Sequence, residues 1–271
     1  MKKFHYLLYI IPINALAITL LYTSAFFNSN LEEYNNAKKF RLQVLEDINN
    51  NMSMIKQRHE NKHIVENPTQ PVGQIMSFDN HKYVDGTAFI IDKNTIITNK
   101  HVIQGEPLKH MYFVPQMSGW DESFNKKEAF KVTHISNVKD RDLAVIKIKG
   151  DLSKYGKYSL TSKLPKHFEE VTTFGYPFEN KKLEAEMYQS TIPYIEHDKK
   201  DVYLGYQSKQ GGSGSPIINK DGEVFAVATY GLKTETTYKN KTKTNYRNIS
   251  GGTYLSNDVI KEINTLKDNP K

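Results

Sequence analysis

His101, Asp142 and Ser213 are the residues of this chain whose types and settings could do covalent chemistry together. Each lies at the edge of an apolar or glycine-rich run. His101 follows Thr95-Ile96-Ile97-Thr98-Asn99-Lys100, Asp142 precedes Leu143-Ala144-Val145-Ile146, and Ser213 lies inside Gly211-Gly212-Ser213-Gly214-Ser215-Pro216. A serine hydroxyl is a weak nucleophile until a base takes its proton. An imidazole is the side chain best suited to do so near neutral pH. A carboxylate on the far ring nitrogen fixes the tautomer and steadies the imidazolium that forms. Glycines beside the serine let the backbone bend until the Gly211 and Ser213 amides face one spot, where the oxyanion of a tetrahedral intermediate would sit. The chemistry open to such a set is acyl transfer.

Each candidate has a rival. Asp140 lies in the charged run Lys139-Asp140-Arg141, which reads as solvated, whereas Asp142 abuts an apolar run. Ser215 is a second serine in the glycine loop and the weaker nucleophile candidate. His59-Glu60-Asn61-Lys62-His63 matches the zinc-hydrolase string His-Glu-x-x-His, which needs a helix to put both imidazoles on one face. Its flanks are polar, no third ligand follows and no apolar stretch surrounds it, so no metal site is assigned. No cofactor is implied.

The elements that must position these residues read as strands. Short apolar or alternating segments fall at Thr87–Asp92, Thr95–Asn99, His110–Val114, Phe130–Ile135, Leu143–Ile148, Val171–Phe174, Met187–Pro193, Val202–Tyr206, Pro216–Ile218, Val224–Tyr230 and Gly252–Leu255. Turn formers such as Asn219-Lys220-Asp221-Gly222 separate them. No alternating helix pattern intervenes, so the fold class is all-β, and the spacing of the three residues suits two six-stranded barrels. A final helix is expected from Ser256, which can cap it, with Val259, Ile260, Ile263 and Leu266 as its apolar stripe. Lys233 to Asn248 reads as a long polar, basic loop.

The first 70 residues differ in texture. Lys2 and Lys3 precede an apolar run from Tyr6 to Phe27. At about 1.5 Å per residue that run spans about 33 Å, enough for a ~30 Å hydrocarbon core. Thr23-Ser24-Ala25 is a weak cleavage site, so signal peptide and retained membrane anchor both stay open for residues 1–27. Either way the lysines remain inside and the rest is exported, secreted or held at the outer face of the membrane. Residues 28–70 read as a charged helical spacer or propeptide, with a helix docked on the following domain as the alternative. The remaining domain is residues 71–271.

The chain has 271 residues, no cysteine and a formal charge of +7. The absence of cysteine excludes disulfides and a thiolate nucleophile. The positive charge favours anionic surfaces. No nucleic-acid-binding motif accompanies it, so nucleic acid is not an expected partner.

The order His, Asp, Ser resembles that of the two-barrel β proteases. Gly86 to Val102, Asp142-Leu143-Ala144, Phe174-Gly175-Tyr176-Pro177 and Gly211 to Pro216 carry a closer likeness. With these the chain resembles the glutamyl-endopeptidase and exfoliative-toxin branch of the chymotrypsin-like serine proteases, from about Pro71 to the terminal helix. The resemblance implies a double six-stranded β-barrel and a serine endopeptidase acting on protein or peptide substrates. It also implies a catalytic His101, Asp142 and Ser213, and an oxyanion hole from Gly211 and Ser213. Ser208, Ala228, Thr229, Tyr230 and Gly231 would face the substrate, the last residues pairing with its backbone as an added strand. The expected assembly is a monomer.

Two departures stand out. Gly212 occupies the place where relatives with a chymotrypsin-style activation switch carry Asp, so a newly cut amino terminus has no carboxylate to pair with. Ala228 aligns with the histidine of glutamate-specific members, which points to a neutral or apolar preference before the cut. The non-enzymatic alternative is a protease fold kept as a binding module or toxin.

Overall fold

The computed structural model describes residues 61–77, 86–118, 129–177, 186–206, 208–231, 234–238, 241–245 and 250–270. The chain divides into two units, residues 1–52 and 53–271, and every described residue belongs to the second. The apolar run 6–27 and the charged stretch up to residue 60 therefore lie outside the described residues. Among those described, no helix is long and apolar enough to cross a membrane.

A short strand, β1 (Asn61–Ile64), precedes the first barrel. That barrel consists of β2 (Val72–Ser77), β3 (Gly86–Asp92), β4 (Thr95–Thr98), β5 (Met111–Pro115), β6 (Phe130–Asn137) and β7 (Ala144–Ile148). They close in the order β2-β3-β4-β7-β6-β5. A single helical turn, α1 (Lys100–Ile103), follows β4. The second barrel is built from β8 (Glu170–Gly175), β9 (Tyr188–His197), β10 (Asp201–Leu204), β11 (Pro216–Ile218), β12 (Val224–Gly231) and, later in the chain, β15 (Ser250–Tyr254). The order β9-β10-β15-β12-β11-β8 closes through β8–β9 pairing. Helix α2 (Asn257–Asp268) ends the fold. The all-β double barrel expected from the sequence is the observed architecture.

Why β3, β4 and β7 read as continuous apolar runs is clear from their two faces. Side chains alternate along a strand. Ala88, Ile90, Ile96, Ala144 and Ile146 fill the first barrel. Their neighbours Phe89, Ile91, Ile97 and Val145 turn outward into a second core, shared with Val224 and Val227 of β12 and with Val259, Ile263 and Leu266 of α2. A strand buried on both faces has no polar side to reveal. The second barrel's interior is separate and holds Val171, Ile192, Leu204, Ile217 and Phe225. The seam between the barrels is thus an apolar core, and burying each such side chain there contributes roughly 1.5–3 kcal/mol.

The terminal helix starts where expected. Val259 N donates to Ser256 Oγ at 3.4 Å, and Val259, Ile263 and Leu266 are buried.

Three elements differ from the sequence expectation. The expected basic loop Lys233–Asn248 contains a hairpin, β13 (Thr234–Tyr238) with β14 (Lys241–Asn245). Its strands are rich in β-branched threonine but polar throughout, so no hydrophobic alternation marked them. β2 was missed because Gly73 and Gln74 interrupt its apolar pattern. β1 lies in the stretch read as spacer, yet it pairs antiparallel with β9 and extends the second barrel's sheet. Because Asn61–Ile64 is strand, the second half of the His59–His63 string is not on a helix. His59 and Glu60 lie outside the described residues.

Candidate active site

Register brings His101 and Asp142 together. β4 pairs with β7 so that Thr98 faces Ala144. The residues just beyond, Asn99 on one strand's exit and Asp142 on the other's entry, therefore meet at one end of the first barrel. Asn99 is fully buried, and its Nδ2 donates to Asp142 O at 2.8 Å. The chain then turns into α1, which carries His101.

Asp142 grips His101 at two points. Its Oδ2 lies 2.5 Å from the ring Nδ1, and its Oδ1 accepts from the His101 backbone N–H at 2.9 Å. Burial works to raise the Asp142 pKa. The hydrogen bonds from the His101 ring and backbone, its charge and the Lys100 backbone N–H outweigh that and hold it below the ordinary carboxylate value. Asp142 is thus ionised at neutral pH, with the ring nitrogen it faces fixed as the donor. Asp140, the rival, sits exposed at a turn with φ of 54°.

The serine loop joins the second barrel's strands β10 and β11 and is fastened from the first barrel. Thr87, fully buried on β3, donates its N–H to Ser213 O at 2.9 Å and its hydroxyl to Gly211 O at 2.9 Å. Tyr176 N donates to the same hydroxyl oxygen. Thr98 Oγ1 in turn donates to Thr87 O. Gly211 takes φ of 85° and Gly214 φ of 87°. Both need the left-handed region that glycine enters freely. A side chain on Gly214 would also strike Thr87 O and Thr98 Oγ1. With the Gly211 carbonyl drawn back to Thr87, the Gly211 and Ser213 amides donate to no group among the described residues.

Ser213 Oγ donates to Thr229 O at 3.4 Å, and no hydrogen bond joins it to His101 among the described residues. Such bonds in empty sites are often long and tighten only with substrate. The two sides are nonetheless linked through Thr229, whose Oγ1 accepts from Asn99 Nδ2 at 3.1 Å. Sequence reasoning missed Thr87 and Asn99 as positioning groups. The available signal was a polar side chain within or beside a wholly apolar strand run.

The expected substrate-facing residues fall into two groups. Thr229, Tyr230 and Gly231 line the outer end of β12, where the β12–β15 register slips between Ala228 and Tyr230. Tyr230 donates its hydroxyl to Asp201 Oδ2. Ser208 is half-buried, with its N–H on Ser250 Oγ at 2.5 Å. Ala228 is 1% exposed and packs inside the second barrel. Its N–H donates to Ser215 O and its carbonyl accepts from Gly214 N, so it supports the loop from beneath and offers no side-chain surface to a substrate. Among the described residues no cluster of His, Cys, Asp or Glu could hold a metal ion.

This arrangement can be set beside known proteins. The trypsin-like peptidase domain family matches residues 86–227. Among solved structures, a Glu endopeptidase in complex with MPD superposes with a TM-score of 0.58 at 19% identity, covering 77% of this chain and 97% of that one. At that identity the likeness is one of fold. The family match runs from the strand that carries Thr87, through His101, Asp142 and Ser213, to the buried centre of β12, which is more than half of the sequence, and the chain therefore belongs to the trypsin-like peptidase family.

Proposed function

We propose that the protein is an exported serine endopeptidase that hydrolyses peptide bonds through an acyl-enzyme, with Ser213 as nucleophile, His101 as base and Asp142 as its orienting carboxylate. One observation carries this reading. The two-point hold of Asp142 on His101 stands at the same seam as a serine loop whose Gly211 and Ser213 amides are unengaged.

The reaction runs in two stages, acylation and deacylation. A substrate strand pairs along Thr229–Gly231 and presents its carbonyl to Ser213. The Ser213 hydroxyl leaves Thr229 O and attacks the carbonyl carbon as His101 takes its proton. Oxyanion charge develops against the Gly211 and Ser213 amides. His101 then gives the proton to the leaving amine, and the acyl group stays on Ser213 Oγ. Water enters the vacated place and attacks the acyl carbon as His101 takes its proton; the bond to Ser213 Oγ then breaks, His101 returns the proton to that oxygen, and the acid is released. The positive charge of this cycle falls on His101, which Asp142 holds, and no cofactor is invoked.

Export rests on Lys2, Lys3 and the apolar run Tyr6 to Phe27, which supports either a cleaved signal or a membrane anchor outside the cell. The reading keeps the protein a monomer.

A serine-reactive phosphonate tests the chemistry. It should label the wild-type chain at Ser213, as located by peptide mass analysis, and fail on Ser213→Ala. His101→Ala should slow labelling by about 10⁴-fold or more. A wild-type protein that folds but takes no label is a binding module on a protease fold, and the reading is then wrong.

A further inference from the structure

Beside the serine loop lies a cavity that shares Ser208 with the expected substrate-facing residues but contains none of His101, Asp142 and Ser213. Lys62, Thr173, Ser190, Ser208, Lys209 and Ser215 line it. Three of these form one row across adjacent strands. Thr173 on β8 faces Ser190 on β9, and Ser190 faces Lys62 on β1. Residues opposed across strands point to the same side of a sheet, so all three side chains enter one space. Gly175 and Tyr188, two residues along, continue that wall. Lys62 Nζ sits 4.1 Å above the Tyr188 ring, which fixes the ammonium at the rim. Gly212, the neighbour of Ser213, also lines the cavity.

Among the described lining residues the charged side chains are both lysines. The lining carries two ammonium groups and six hydroxyls, and no carboxylate among the described residues. Thr173 is 7% exposed, and its Oγ1 has no hydrogen-bond partner among the described residues. A buried hydroxyl left unpaired is unfavourable, and an acceptor in the cavity would relieve it. A protein carboxylate could have reached in from position 212, but Gly212 has no side chain. A new amino terminus would instead meet two like charges.

We propose that this cavity binds a small free oxyanion, of sulfate or carboxylate type, and that the bound anion steadies the loop bearing Gly211 and Ser213. The anion stands where a side-chain carboxylate on residue 212 would have stood. Lys62 is its counter-cation and Thr173 and Ser190 its hydroxyl donors. Since β1 supplies Lys62, residues 61–64 belong to the working enzyme and are not a removable spacer.

Sulfate is the probe, titrated into the full chain in non-ionic detergent at ionic strength held constant with chloride. Thermal unfolding of the Ser213→Ala protein reads binding without reference to catalysis. The expected result is a saturable rise in Tm, about 5–10 °C at a hundredfold excess over Kd. Lys62→Gln and the isosteric Thr173→Val should each lose that rise while keeping a sulfate-free Tm near the parent's. If one variant fails to fold, the other carries the test. In the protein with Ser213 intact, sulfate should speed phosphonate labelling several-fold. That arm rests on the proposed triad, and the unfolding arm does not. A linear, unsaturating Tm rise that is equal in Lys62→Gln is general salt exclusion and overturns the proposal. So does competition by sulfate against peptides with Glu before the cut but not against those with Leu, which would make the cavity a pocket for the substrate's own carboxylate.

Discussion

Thr87 of the first barrel holds Ser213 of the second, its N–H donating to the Ser213 carbonyl at 2.9 Å while its hydroxyl takes the Gly211 carbonyl at the same distance. Two carbonyls of the serine loop are thus fixed by one residue of the other barrel. Thr87→Val keeps the shape and the backbone N–H but removes the hydroxyl. Both the Gly211 carbonyl and the Tyr176 N–H lose their partner. The expected outcome is a kcat lower by about 10-fold or more with KM little changed. Thr87→Ser should recover most of the loss, and an unchanged kcat in Thr87→Val would remove Thr87 from the positioning role.

Asp142→Asn tests the hold on His101. An amide can accept from only one oxygen, so the ring loses its fixed tautomer and the imidazolium its counter-charge. Activity should drop about 10⁴-fold, with circular dichroism showing intact barrels. A loss under tenfold would mean that Asp142 is only a structural neighbour.

The depressed Asp142 pKa makes a signed prediction for stability. Its folded value lies below its unfolded one, so the folded state binds fewer protons there. The stabilisation is complete above the unfolded value of ~3.9 and disappears as pH falls through the folded value. Both partners are more than a third exposed, so solvent screens the pair and the effect is small. The Tm difference between wild type and Asp142→Asn should therefore narrow from pH 6 to pH 2.5, and a difference that widens in acid would reverse the assigned shift.

Gly214 and Gly222 form a controlled pair. Both have positive φ, 87° and 80°. A Cβ on Gly222 meets nothing, whereas one on Gly214 strikes Thr87 and Thr98. Gly222→Ala should cost only the left-handed penalty, about 1–2 kcal/mol. Gly214→Ala adds a clash with buried backbone and should exceed ~3 kcal/mol. Denaturant midpoints compare them directly, and equal costs would show that the loop yields.

Local pattern made the strands around His101 and Asp142 legible, together with the glycine loop around Ser213 and the capped stripe of α2. Each of these depends on neighbours within a few residues, where burial on alternate faces, capping and glycine's φ freedom leave their mark on residue type. β1 and the β13–β14 hairpin carried no such mark, because polar strands gain their pairing from a partner rather than from an apolar face.

The types and order of the chemical groups were thus settled by the sequence alone. Only the closed barrels decided what holds them. Thr87 reaches Gly211 across 124 residues, Asn99 reaches Thr229 across 130, and Lys62, Ser190 and Thr173 fall into one row through strand register. Chain neighbours do not encode such meetings. They arise when apolar faces on both barrels are buried against a common seam, and that burial sets which polar groups are left facing each other.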